Sequence, residues 1–179
     1  MKKVLFIFGE LSDDDIDWMI TVGSREKIYA GTILIHEGKP ADAVYILLEG
    51  TLTVKVAALG DKILAFLSSG EVVGEISFVD SRLPSATVEA VEDSLVLAIP
   101  RELLAIKLRQ DVGFASRLYR AIALFLSTRL RGIVSNLGYG TASAQSEDIE
   151  ASAVPPDSLD NVVMATARFD WLLRRLKEP

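Results

Sequence analysis

The residues best suited to chemistry lie between Val72 and Ala90, in the stretch VVGEISFVDSRLPSATVEA. Gly74 lets the backbone approach a ligand closely, and Ile76 to Val79 are predicted to form one short helical turn whose unpaired N–H groups face an anion. A carboxylate at Glu75 would repel phosphate, so it is suited to accept a hydrogen bond from a neutral donor such as a sugar hydroxyl. The pattern therefore favours a cradle for a phosphate that lies beside a hydroxyl group.

A loop and a returning strand complete this predicted cradle. After the loop from Asp80 to Leu83, the run Ser85, Ala86, Thr87 is predicted to return as a strand with small side chains and hydroxyls facing the ligand. Arg82 is a cation on the same loop, and its long side chain could reach the ligand across a tight turn. A solvated loop arginine is the other interpretation.

The stretch resembles the phosphate-binding cassette of the cyclic nucleotide-binding domain family, found in catabolite-activator-type regulators, kinase regulatory subunits and gated channels. The resemblance covers about residues 25 to 137. It implies that Gly74 and Glu75 match the cassette's glycine and glutamate, and that Glu75 holds a ribose 2′-hydroxyl. The hydrophobic turn and the returning strand of the cassette are matched by Ile76, Ser77, Phe78, Ser85, Ala86 and Thr87.

The sequence departs from this cassette at one position. The family's phosphate-binding arginine lies two residues before the alanine, and that residue here is Pro84. Because an arginine fork on a phosphate contributes about 1.5–3 kcal/mol, its loss should weaken an ordinary cyclic nucleotide by roughly tenfold or more. Two functions stay open: a sensor that binds a cyclic nucleotide or related phosphate ligand in a modified cradle, and a degenerate domain that serves as an interaction or dimerisation scaffold.

The composition is typical of a folded regulatory domain. The chain has 179 residues, of which 50% are hydrophobic and 25% are charged, so one domain with a substantial core is expected. A formal net charge of -6 argues against nucleic acid or anionic membranes as main partners, since both attract clustered positive charge. The absence of cysteine excludes disulfides and thiolate metal sites, and it makes a cytoplasmic location the default expectation.

Short strands are predicted for the middle of the chain. Glycines punctuate runs rich in Val, Ile, Leu and Thr, and regular turns of this kind indicate antiparallel strands that close most readily into a jelly roll. The expected fold is α+β, an antiparallel β jelly-roll barrel (a double-stranded β-helix) flanked by N-terminal and C-terminal helices. The predicted strands are 32–36, 43–48, 51–57, 62–67, 85–90 and 94–99.

Helical segments are predicted on both sides of the strands. Ser12 should cap an N-terminal helix, and the aspartates after it are explained by the positive end of that helix, so no metal is assigned. A run of small and polar residues near the C-terminus is typical of a flexible linker. The predicted segments are an N-terminal helical segment (1–24), a jelly roll with a long C-terminal helix (25–137), a linker (138–158) and an amphipathic helix (159–179).

The helix predicted over residues 111–137 is apolar on more than one side. Such a helix must bury both sides, which favours the barrel on one side and a second subunit, as a homodimer, on the other. A monomer whose C-terminal tail covers the extra surface is the alternative. The helix at 159–179 is expected to pack against the protein's own body, with capture of an unknown downstream protein second, or to place Phe169 and Trp171 as a lid over the pocket.

Motifs for other functions are missing from the sequence. No helix-turn-helix domain follows the long helix, so DNA binding is not expected, and no apolar run is long enough for a membrane span. The chain has one histidine and lacks a Walker loop, an HExxH motif and a nucleophile motif, so an enzyme is not expected and no catalytic residue or cofactor is assigned. The sequence predicts a stand-alone receiver that relays ligand occupancy through its C-terminal helices.

Overall fold

The structure is a computed structural model that describes residues 6–60, 62–138 and 158–177. Residues 139–157, which make up nearly all of the predicted linker, lie outside the described part of the chain. The helices are α1 (Phe6–Glu10), α2 (Asp13–Val22), α3 (Glu75–Val79), α4 (Arg101–Gln110), α5 (Val112–Gly138) and α6 (Ser158–Lys177). The strands are β1 (Ser24–Ile28), β2 (Ile33–Ile35), β3 (Ala43–Glu49), β4 (Leu52–Val56), β5 (Lys62–Leu67), β6 (Val72–Val73), β7 (Thr87–Ala90) and β8 (Ser94–Pro100).

The strands form two antiparallel sheets, with the orders β1-β8-β3-β6 and β2-β7-β4-β5. The α+β jelly-roll fold expected from the sequence is thereby confirmed. Two strands, β1 and β6, were not predicted, and β7 begins at Thr87, so the prediction that Ser85 and Ala86 lie in the strand is wrong. Pro84, just before them, has no N–H to donate to a ladder, which favours a strand that starts later.

The core has two layers because the central strands are buried on both faces. Along β3, Val44 and Ile46 face the helices, whereas Leu47 faces the second sheet. On β8, Leu97 faces the helices and Val96 faces the second sheet. This two-residue alternation explains why both strands read as nearly continuous hydrophobic runs in the sequence. The helix-facing layer is where α3 and α5 meet the barrel.

Part of the second apolar side of α5 is covered by the chain itself. Helix α1 packs against both α5 and α6, and α6 also contacts α2. Phe8 of α1 is fully buried, with its ring 5.2 Å from that of Phe169 of α6. Packing of the terminal helix on the protein's own body is therefore confirmed, and the lid with Phe169 over the pocket is wrong. The homodimer through 111–137 stays a prediction, since Leu130 and Tyr119 on α5 are exposed.

Asp15 links the N-terminal helix to α5. Ser12 caps α2 as predicted, and its backbone N–H donates to the Asp15 carboxylate at 2.8 Å. Arg117 of α5 donates to the two oxygens of the same carboxylate, from Nε at 2.6 Å and from Nη2 at 2.8 Å. Burial alone would raise the pKa of Asp15, but the hydrogen bonds from Arg117 and Ser12 outweigh it and hold the pKa below its usual value.

Replacing Asp15 with asparagine is expected to lower the free energy of unfolding near neutral pH by about 2–3 kcal/mol, since it removes a charged hydrogen-bond acceptor. The depressed pKa means that this contribution is present above the unfolded-state pKa of about 3.9 and is lost as pH falls through the folded-state value. Urea unfolding of both proteins at neutral and acidic pH measures it. Asp14→Asn, at an exposed neighbour, is the control. If Asp15→Asn stays less stable than wild type at a pH below both the folded and the unfolded pKa of Asp15, the stabilisation does not come from the charge of this carboxylate.

Candidate ligand-binding site

A cavity of about 340 Å³ opens beside the turn from β6 to α3. This volume falls within the range of small-molecule sites, about 300–1,000 Å³. Its walls combine apolar side chains from both sheets with polar groups from α3, from the loop over 80–86 and from α5. The lining residues are Ile35, Val54, Val73, Gly74, Glu75, Ile76, Ser77, Asp80, Arg82, Leu83, Pro84, Ser85, Ala86, Val88 and Arg129.

Gly74 forms the sharp turn between β6 and α3. Its φ of 87° lies in the left-handed region, and a Cβ there would stand 3.2 Å from the carbonyl oxygen of Ala43. Both the conformation and the close approach require glycine, because a side chain would be strained and crowded at once. The carbonyl of Gly74 then accepts hydrogen bonds from the Phe78 N–H and the Ser77 hydroxyl, each at 3.1 Å. The chain thus passes directly from the strand into the short helix that carries Glu75.

Glu75 is a buried carboxylate at the edge of the cavity, with 2% of its surface exposed. Its Oε1 accepts a hydrogen bond from Nη1 of Arg129 at 3.2 Å. Burial raises the pKa of Glu75 above its usual value, and the charge of Glu71 adds to this, although Arg129 and the backbone N–H groups of Glu75 and Ile76 act in the opposite direction. A carboxylate has room for further hydrogen bonds, so Glu75 can still accept from a ligand hydroxyl.

Arg129 brings a cation from α5 to the cavity, which the sequence analysis missed. Its Nη2 is buried and has no hydrogen-bond partner in the described part of the chain, and it lies 3.9 Å from Oε1 of Glu71. The guanidinium also lies 4.1 Å from the centre of the Phe125 ring. A buried donor without an acceptor costs about 1–3 kcal/mol. The sequence does contain a signal for this contact: Arg129 lies one helical turn after Phe125, and Phe125 belongs to the apolar side of the helix.

Arg101, at the start of α4, holds the middle of α3. Its guanidinium donates to the carbonyl oxygen of Ser77 at 2.5 Å and to the Ser77 hydroxyl at 3.1 Å. It also lies over the ring of Phe78, 5.5 Å from the centroid. The short helix that borders the cavity is therefore joined to α4 by one arginine and to α5 by another.

Seven of the eight predicted site residues border this cavity: Gly74, Glu75, Ile76, Ser77, Arg82, Ser85 and Ala86. Thr87 does not, because its hydroxyl oxygen accepts the backbone N–H of Glu37 at 3.2 Å. Side chains alternate along a strand, so Val88 lining the cavity puts Thr87 on the opposite face. Arg82 reaches the rim with an exposed side chain, while its backbone N–H bonds to Asp80 at 2.9 Å.

Among residues 6–60, 62–138 and 158–177, no three His, Asp or Glu side chains come together in a way that could hold a metal ion. None of the helices described there combines the length and the apolar character needed to cross a membrane.

Residues 25–111 match the model of the cyclic nucleotide-binding domain, and they contain the two sheets and the turn that borders the cavity. This segment of the chain belongs to the cyclic nucleotide-binding domain family. A crystal structure of a cyclic nucleotide-binding domain from Methylobacillus flagellatus aligns with a TM-score of 0.68 at 19% identity, covering 79% of this chain and 84% of that one. At this identity the likeness shows the shared fold.

The chain is also similar to parts of two longer curated relatives. The chain is 29% identical to an uncharacterized NTE family protein of Mycobacterium tuberculosis over a segment of 158 residues, and this segment covers 83% of this chain. It is 31% identical over 98 residues to the cyclic AMP receptor protein of Thermus thermophilus, covering 54% of this chain and 45% of that protein. The chain spans only 26% of the length of the NTE family relative.

Proposed function

We propose that this cyclic nucleotide-binding domain is a non-catalytic regulatory module that binds a cyclic nucleotide, or a related phosphate ligand, in the cavity beside α3. The observation that carries the proposal is the buried Glu75 at the edge of a ligand-sized cavity, next to the Gly74 turn. A carboxylate in this position suits a ribose 2′-hydroxyl, which is neutral and can donate. Ser85 and Ala86 border the same space, and their backbone N–H groups are suited to the phosphate end of the ligand.

The two arginines that hold α3 provide the route by which occupancy would reach the helices. A ligand that contacts Glu75 acts on a residue bonded to Arg129 of α5, and a shift of α3 acts on Arg101 of α4 through Ser77. Such a relay operates only if the ligand binds two packings of these helices unequally.

Calorimetric titration of the purified chain with cyclic AMP, cyclic GMP and a cyclic dinucleotide tests the proposal. Binding of one of them with a micromolar dissociation constant would support a sensor, and the same ligand should raise the unfolding temperature because it binds the folded state. No heat and no thermal shift with any of the three would favour the scaffold function instead. That alternative is supported by Pro84 and by the existing pair between Glu75 and Arg129.

Replacing Pro84 with arginine is expected to raise the affinity for cyclic AMP or cyclic GMP by about tenfold or more. Pro84 borders the cavity, so an arginine there would carry its fork to the phosphate end of the ligand. The carbonyl of residue 84 accepts the N–H of Gly38 at 2.8 Å, a backbone bond that the variant retains. Calorimetric titration of both proteins at matched ionic strength measures the gain.

Val91→Arg is the control, because it adds the same charge from a side chain that is 50% exposed and that does not line the cavity. If the gain depends on the position of the fork, Val91→Arg should change the affinity less than threefold, as expected for a screened surface charge. An unchanged affinity in Pro84→Arg would mean that something other than the missing arginine limits binding.

A further inference from the structure

Two cations border the cavity, and their surroundings differ. Arg82 lies on the loop with its side chain exposed, so water and salt screen its charge. The Arg129 side chain is 31% exposed, and its Nη2 is buried without a hydrogen-bond partner among the described residues. A partly desolvated cation interacts more strongly with an anion than an exposed one does. Arg129 is therefore the better placed of the two to bind a negatively charged group.

The contacts of Arg129 leave donors available for a ligand. A guanidinium has five N–H donors in a rigid fork, and the described structure uses Nη1 for the Glu75 carboxylate. The separation of 3.9 Å between Nη2 and Glu71 is too long for a hydrogen bond. The Glu75 carboxylate thus orients the guanidinium without satisfying it, and because Arg129 lines the cavity, its unpaired Nη2 is a donor available to a ligand there.

We propose that Arg129 binds the anionic phosphate of the ligand and takes over the role of the arginine that position 84 lacks. This inference rests on the proposed function, because it assigns a residue within the same site. Glu75 has two oxygens, so it can keep Arg129 in place with one and accept a ligand hydroxyl with the other. Since Arg129 belongs to α5, the ligand's charge would act directly on the long helix instead of on the loop.

The test compares Arg129→Gln with Arg82→Gln in calorimetric titrations with cyclic AMP and cyclic GMP. Arg129→Gln is expected to lower the affinity by about tenfold or more, whereas Arg82→Gln should lower it less than threefold. Arg131→Gln, an exposed arginine on α5, controls for the overall charge of the helix. A larger loss in Arg82→Gln than in Arg129→Gln, or an unchanged affinity in Arg129→Gln, would overturn the assignment.

Uncharged adenosine separates phosphate binding from an effect through Glu75. Its affinity should be the same, within about threefold, for the wild-type chain and for Arg129→Gln, because adenosine has the ribose but no phosphate. An equal loss for adenosine and cyclic AMP would show that Arg129 acts by positioning Glu75, which contradicts phosphate binding. Arg129→Lys, which keeps the charge without the fork, should lose less affinity than Arg129→Gln and covers the case in which the glutamine variant unfolds.

The outcome for the wild-type chain distinguishes this inference from the proposed function. If wild-type protein binds none of cyclic AMP, cyclic GMP and the cyclic dinucleotide, the proposed function fails and the role of Arg129 fails with it. If the wild-type chain binds and Arg129→Gln binds equally well, only the role of Arg129 is overturned.

Discussion

Replacing Glu75 with glutamine is expected to weaken the binding of cyclic AMP and cyclic GMP by roughly 10- to 100-fold. Glu75 is 2% exposed, so water cannot replace the carboxylate as an acceptor when the ligand enters. The amide keeps the shape of the side chain, but it offers one acceptor oxygen without a charge, and its NH2 group opposes the Arg129 donor. Calorimetric titration measures the loss, and thermal unfolding verifies that the variant is folded.

A 2′-deoxy cyclic nucleotide shows whether this loss comes from the ribose. If Glu75 accepts from the 2′-hydroxyl, wild-type protein should lose affinity for the deoxy ligand, and Glu75→Gln should discriminate little between the two ligands. If the loss from removing the 2′-hydroxyl and the loss from Glu75→Gln are additive, the 2′-hydroxyl does not bind to Glu75. Glu26→Gln, an exposed glutamate on β1, is the control and should leave both affinities unchanged.

The strands that the sequence predicted are those with a strong local pattern. β3 and β5 were predicted to within one residue, because runs of apolar residues end at glycine-containing turns such as that at Gly50. β1 was missed since its sequence SREKI buries only Ile28, so no alternation marks it. Its register with β8, Ser24 opposite Ala98, is set by backbone hydrogen bonds, which any residue except proline can make.

Around the cavity, the residues that are close together in the chain could be predicted from the sequence, whereas a residue far along the chain could not. Gly74, Glu75 and Ser85 are close in the chain, so their spacing was enough to predict that they border one site. Arg129 is 54 residues from Glu75, and its approach depends on how α5 packs against the barrel. The stripe on α5 indicated that the helix is buried, but it does not specify which polar residue at the edge of the stripe meets a carboxylate of α3.

Replacing Phe8 with alanine is expected to lower the free energy of unfolding by about 3–5 kcal/mol, the range for large-to-small changes in a core. Phe8 is 0% exposed and pairs with the ring of Phe169, so the variant loses burial, the ring contact and close packing at one position. Urea unfolding followed by circular dichroism measures the change. Phe66→Ala on β5, where the side chain is 64% exposed, is the control and should stay within about 0.5 kcal/mol of wild type.

The same substitution reports on how the terminal helix is attached. Arg168 of α6 donates to the carbonyl oxygens of Phe8 and Gly9 and pairs with Asp13, so polar contacts surround the aromatic pair. If α1 is the element that holds α6, Phe8→Ala should increase amide hydrogen exchange in α6 more than in the β strands. Equal exchange in both regions, with a loss no larger than that of Phe66→Ala, would contradict this attachment. Because α1 also packs against α5, a loosened α1 would reach the helix that carries Arg129.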